Sequence, residues 1–229
     1  MLQHKHLVTA TKFLVLATGF FLLAYGSIMG VVAALGVAPW HVLHIGLTRH
    51  FPITLGRAAQ LIGFVILALA IALGIRPRIG TWCNIFLVGY FLDFVTAYKL
   101  VPEVDALPMR VLYVLLGVII SGLGVAGYIC ADLGTGPRDS LMLGVTRKTG
   151  WRVGTVRSSI EISVVIIGYL LGGPVGLGTV ASAFLAGPIV ERWLMTIGRL
   201  TRLPFLGDVM KLPASIRIGK GVVTPGATT

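Results

Sequence analysis

The chain has 229 residues, a hydrophobic fraction of 56%, only 12% charged residues and a mean hydropathy of +0.93. That composition excludes an ordinary soluble domain. The formal net charge of +11 invites a nucleic-acid reading, but the positions of the charges favour a membrane topology signal.

Apolar stretches of about 17–25 residues, the length that crosses a bilayer, occur six times. They lie near 13–35, 54–75, 80–98, 110–131, 154–173 and 177–198. Backbone polar groups in lipid must be satisfied internally, so these segments are predicted to be helices, and the fold class is an all-α membrane protein. Residues 1–12 form a cytoplasmic N-terminus. The first apolar stretch follows Lys5 and Lys12 as a signal peptide would, yet its counterpart at 110–131 is internal and must span, so the first span is expected to be retained. The linker 99–109 contains Pro102 and Pro108 and joins two groups of three spans, 13–98 and 110–198, on the outer side. After 198 the hydrophobic run stops, and 199–229 reads as a basic, mobile cytoplasmic tail in which Lys211 and Arg217 suit anionic lipid.

With the N-terminus inside, the inner segments hold Lys5, Lys12, Arg76, Arg78, Arg138, Arg147, Lys148 and Arg152, followed by six more cations from Arg192 to Lys220. The outer segments hold Arg49, Arg57, Lys99 and Arg110. This is the positive-inside asymmetry, with both termini cytoplasmic.

The two groups of spans are copies. A shift of 98 positions without a gap lays Leu35-Gly36, Pro39, Gly46 and Thr48-Arg49 on Leu133-Gly134, Pro137, Gly144 and Thr146-Arg147. The same shift lays Gly56 on Gly154, Gly80-Thr81 on Gly178-Thr179, Gly89 on Gly187 and Asp93 on Glu191. Copies with three spans each sit in opposite orientations, the 3+3 inverted repeat that in many transporters encloses the substrate site. After the first and fourth spans, glycines break the helix, and Pro39 or Pro137 suits the first position of a new one. A helix over about 137–148 is roughly 18 Å long at 1.5 Å per residue, too short to span. It is either a re-entrant half-helix or one lying at the interface, and its start offers unpaired N–H groups to an anion.

Glu161 stands within the fifth span, where an ionisable group is costly and marks function unless merely paired. Arg157 is one turn earlier, within salt-bridge reach. Their mates, Gly63 and Ala59, are uncharged, which argues against a device needed only for folding. Asp93 and Glu191 recur, and they read as latches or gates to the motif segments through Arg49 and Arg147 respectively. Asp139 falls in the first turn of the short helix, where a carboxylate is stabilising. Gln60, Ser140 and Ser158 are polar enough to donate into a cavity. His41 and His44, three residues apart, lack a third metal ligand and are expected to titrate near neutral pH in the outer motif. Cys83 and Cys130 lack a metal-ligand or redox spacing. No catalytic motif is present, so no enzyme and no cofactor are expected.

The paired L-G-x-x-P motif, Leu133-Gly134-Thr135-Gly136-Pro137-Arg138-Asp139 and the string Gly154…Arg157…Glu161 resemble the YczE/YyaS/YitT family of bacterial integral membrane proteins, over about residues 12–198. The likeness is nearest the YczE branch, because nothing after 199 suits the soluble C-terminal domain of YitT-type members. The resemblance implies a multi-pass protein of the bacterial plasma membrane and no particular substrate. Trp40-His41 stands where the second copy has Arg138-Asp139, so the halves need not bind the same thing.

The expected function is a transporter of a small polar, anionic solute. Its site lies between the repeats, formed by Glu161, Arg157, Arg138, Asp139, Pro137, Gly136 and Pro39, with Glu161 coupling transport to a proton or cation. A channel-like facilitator and a non-transporting scaffold or accessory protein are the rival readings. Expected partners are membrane lipid and the solute, with no nucleic acid. Small-xxx-small patterns such as Gly26…Gly30 suit packing within a monomer or a homo-oligomer.

Overall fold

A computed structural model describes residues 2–200, with 209 and 210. The chain forms eight helices in this range: α1 Leu2–Val32, α2 Pro39–His50, α3 Leu55–Ala72, α4 Ile79–Ala97, α5 Leu107–Cys130, α6 Pro137–Thr149, α7 Val153–Leu170 and α8 Leu177–Leu200. Six of them, all but α2 and α6, are long and apolar enough to cross a membrane. The expected tail at 199–229 falls mostly outside the described residues, and so do its lipid contacts through Lys211 and Arg217. One boundary differs from expectation. α1 begins at Leu2 rather than near 13, because nothing in the polar run before Phe13 breaks a helix.

The repeat is visible in the element bounds. α1 and α5 end at residues 32 and 130, α2 and α6 begin at 39 and 137, and α4 and α8 begin at 79 and 177, each pair separated by the sequence shift. Packing repeats as well. α1 lies along α5 in the middle of the bundle, and each packs on the last helix of its own half, α4 or α8. Each short helix packs chiefly on the third helix of the opposite half, α2 on α7 and α6 on α3.

The α1–α5 contact is made of glycine. A β-carbon added at Gly19 would stand 2.8 Å from the Gly124 carbonyl oxygen, and one at Gly124 would collide with the Gly19 oxygen. Gly26 and Gly117 meet in the same way. Small residues are the usual means by which membrane helices approach this closely, since lipid removes the hydrophobic drive for helix association. Gly26 thus packs inside the monomer, whereas Gly30 faces open space. Around this spine sit Phe20, Ala24, Leu92 and Val95.

The breaks before α2 and α6 are stitched across the halves. The amide of Gly178, at the start of α8, donates to the Leu35 carbonyl at 2.8 Å, and its mate Gly80 in α4 donates to Leu133 at 2.9 Å. Gly36 and Gly134 have φ of 99° and 137°, a region that any side chain strains.

The halves differ at one place. α3 and α4 pack along their length, whereas α7 and α8 barely touch. In the first pair, the Asp93 carboxylate accepts hydrogen bonds from the Gly56 amide at 2.8 Å and the Thr54 hydroxyl at 2.6 Å. In the second, Glu191 is exposed.

Two outcomes follow. Gly124→Val should overpack the α1–α5 contact at a cost of about 1–3 kcal/mol, lowering the thermal midpoint of the detergent-purified protein by several degrees. Asp93→Ala leaves the Gly56 amide without its acceptor, a loss of about 1–3 kcal/mol, whereas Glu191→Ala should change stability by less than about 0.5 kcal/mol. Equal losses from the two would contradict the asymmetry.

Candidate functional site

A cavity of about 270 Å³ lies between the halves, walled by α1, α4, α5, α7 and α8 and floored by the starts of both short helices. Gly136, Pro137, Arg138, Asp139, Arg157, Glu161 and Pro39, the residues expected to form the site, all line it. The fold assembles them through the helix breaks. Gly136 has extended backbone at the N-cap of α6, with Pro137 at the start of the helix, and Pro39 does the same for α2. Glu161 is eight residues into α7, about 12 Å along a helix roughly 27 Å long, near its middle.

At the floor, two repeat mates face each other. The Arg138 guanidinium lies over the Trp40 ring, 4.6 Å from its centroid. Two arginines at this point would repel and two tryptophans would close it. One aromatic face under one cation is attractive, which gives the difference between the copies a physical reason.

The charges divide into a paired set and an unpaired one. The Arg157 Nε donates to Glu161 Oε1 at 3.0 Å. The Tyr128 hydroxyl donates to Asp139 Oδ2 at 3.0 Å. Among the described residues, no carboxylate forms an ion pair with Arg138. Its charge is therefore available to the cavity, where the N-terminal N–H groups of α2 and α6 add partial positive charge. Asp139 occupies the first turn of α6, as expected, and it is also held by Tyr128.

His41 lines the same cavity and is 5% exposed, and no protein group reaches either of its ring nitrogens. His44 is also buried, with Nδ1 unbonded, and its ring meets that of His41 edge-on at 5.4 Å. The expectation that the pair titrates near neutrality fails. Burial first, and the Arg138 charge after it, push His41 down to about 3; burial, then His41 and Arg138, lower His44 well below its usual range. A neutral imidazole has one donor and one acceptor nitrogen, and both of these in His41 are buried without a hydrogen-bond partner among the described residues, beside a cavity to which the sequence reading did not assign it. No cluster of three or more metal-ligating side chains occurs among the described residues.

Other expected residues lie elsewhere. Asp93 and Arg49 are not brought together: Asp93 holds Thr54 and Gly56, while the Arg49 side chain lies where a β-carbon on Gly172 would meet it at 3.3 Å. Glu191 and Arg147 are both exposed and form no ion pair. The acid that does close a motif segment is Asp132, which receives Arg78 Nη1 at 3.3 Å, while Arg78 Nη2 donates to the Asp132 carbonyl at 3.1 Å. Gln60 donates to the Phe86 carbonyl at 3.2 Å and Ser140 to the Gly136 carbonyl at 3.0 Å, so both serve backbone. Ser158 is exposed on α7.

The sequence matches the family of unknown function DUF6198 over residues 10–194. It is 39% identical over 160 residues to the uncharacterized membrane protein YczE of Bacillus subtilis, covering 69% of this chain and 73% of that one. It is 37% identical over 180 residues to an uncharacterized protein of Haemophilus influenzae, covering 79% and 82%. Identity to the uncharacterized protein YyaS of Bacillus subtilis is 24% over 183 residues, covering 76% and 91%. No solved structure matches. The protein belongs to DUF6198, and it is a relative of the membrane protein YczE and of the protein YyaS.

Proposed function

We propose that this integral membrane protein is a carrier for a small anionic solute, with its site in the cavity between two inverted repeats. The observation that carries the reading is the floor of that cavity, where two helix starts converge on Arg138, a cation without a carboxylate partner among the described residues. A carboxylate or phosphate there would receive the guanidinium and amide N–H groups of α2 and α6. Convergence of the two starts inside the bundle favours re-entrant half-helices over interfacial ones, since irregular backbone at depth is tolerated inside protein or beside a cavity.

Glu161 is the coupling residue in this reading. It is held by Arg157, and binding a proton or cation at Glu161 would release Arg157 towards the solute. The protein lies in the bacterial cytoplasmic membrane with both termini inside, which the distribution of Lys and Arg supports. It performs no catalysis. A channel would need no such coupling pair, and a scaffold would need no converging charge.

The test is a thermal-stability screen of the detergent-purified protein against a metabolite library, since a ligand that binds only the folded state raises the midpoint by mass action. A small carboxylate or phosphate compound should raise it by several degrees. Arg138→Gln should abolish that shift, and Glu161→Gln should alter its pH dependence. Hits confined to cations, or shifts indifferent to Arg138→Gln, would sink the reading.

A further inference from the structure

The closed α3–α4 pair and the open α7–α8 pair share part of their contact residues: Gly56, Gly89 and the acid Asp93 recur as Gly154, Gly187 and Glu191, whereas Thr54, Gln60, Phe64 and Trp82 have Arg152, Ser158, Ile162 and Val180 for mates. A β-carbon on Gly56 would run into the Gly89 carbonyl oxygen, so those backbones touch; their mates Gly154 and Gly187 have nothing within 4 Å. Asp93 grips Thr54 and the Gly56 amide. Its mate Glu191 is exposed, and so are Arg152 and Gly154 at the positions of Thr54 and Gly56. Gln60 donates to the Phe86 carbonyl. Their mates are Ser158 and Phe184, and the Phe184 carbonyl lacks its helical donor, because Pro188 stands four residues on.

We infer that α7 and α8 close against each other in a second conformation, through a seam of Gly154 on Gly187 and Glu191 on Arg152 and the Gly154 amide, with Ser158 serving the Phe184 carbonyl. The seam is the mirror, in the second half, of the one that holds α3 to α4. Proline inside α8 supplies the place to bend. Its neighbour Gly187 is the contact point.

Closing this seam shuts the side of the cavity. Glu161, Ala183 and Arg157 line that side, from α7 and α8. In the first half the mates of Glu161 and Ala183 pack together: a β-carbon on Gly63 would lie 3.1 Å from Ile85. Glu161 therefore sits where the seam must become dry. Glu161 is already paired with Arg157 in the open state, with both side chains still part-exposed, and drying an ion pair is costly, so closure waits on a proton or a cation at Glu161. This makes Glu161 the residue that ties the gate to the charge state of the site. The gate takes its purpose from the carrier reading and rests on it to that extent; the helix movement does not require that a solute be known.

The test is the distance between spin labels on Thr155→Cys and Arg192→Cys, both exposed positions, in the full chain with Cys83→Ala and Cys130→Ala. Two distance populations are expected, with the short one enriched by Glu161→Gln and lost in Gly187→Val. The valine side chain would enter open space in the structure described, so the fold should survive. A single long distance in both the parent and Glu161→Gln would overturn the inference, as would a short population that persists in Gly187→Val. A short distance that vanishes on dilution with unlabelled protein would also overturn it, by assigning the open face to a second copy. If anionic solutes bind but the distance never shortens, the gate fails and the carrier stands. If the distance shortens and no solute binds, the gate stands and the carrier fails.

Discussion

Backbone that leaves a helix inside a membrane protein has no water to turn to, and each unsatisfied group there costs several kcal/mol. The protein breaks its helices twice, before α2 and before α6, and each break finds its hydrogen bonds in the opposite half. Gly178 serves Leu35, and Gly80 serves Leu133. Neither half can complete its motif segment alone. This reciprocal stitching fixes α4 and α8 against the breaks, brings the two helix starts together, and leaves a cavity where seven elements converge.

Symmetry and its failure then divide the work. The shared part is structural: glycines that let α1 and α5 touch, prolines that start the short helices, and threonines behind them. The differing part is chemical. Trp40 faces Arg138 in an attractive pair that two like residues would not make, and Asp139 is held by Tyr128 while its mate His41 has no hydrogen-bond partner among the described residues. Glu161 and Arg157 have Gly63 and Ala59 for mates. Two copies of one fold thereby enclose a single asymmetric site.

Much of this was legible in the sequence because the repeat carries it. A gapless 98-residue shift paired Pro39 with Pro137, the first residues of α2 and α6, and the expected short helix 137–148 ends one residue before the observed α6. Each residue expected in the binding site proved to line one cavity, since all of them lie at a helix break or on the α7 face beside it. Partnerships were harder to read. Asp93 takes a hydroxyl and a backbone amide rather than Arg49, because Gly56 brings α3 so close that the amide lies nearer than the guanidinium. His41 read as titratable in the outer motif because sequence does not show which way the short helix turns, and α2 buries seven of its twelve residues. Sequence likeness between the copies could not reveal that one helix pair is closed and the other open.

A carrier of the proposed kind opens its one cavity to each side of the membrane in turn. The direct measurement places a single cysteine at Ser121, which lines the cavity, in the chain with Cys83→Ala and Cys130→Ala. A membrane-impermeant maleimide is then applied to right-side-out and to inverted vesicles. Labelling from both sides, with Gly187→Val suppressing it from one side alone, is expected of such a carrier. Labelling from a single side, unchanged by Gly187→Val or Glu161→Gln, would contradict it.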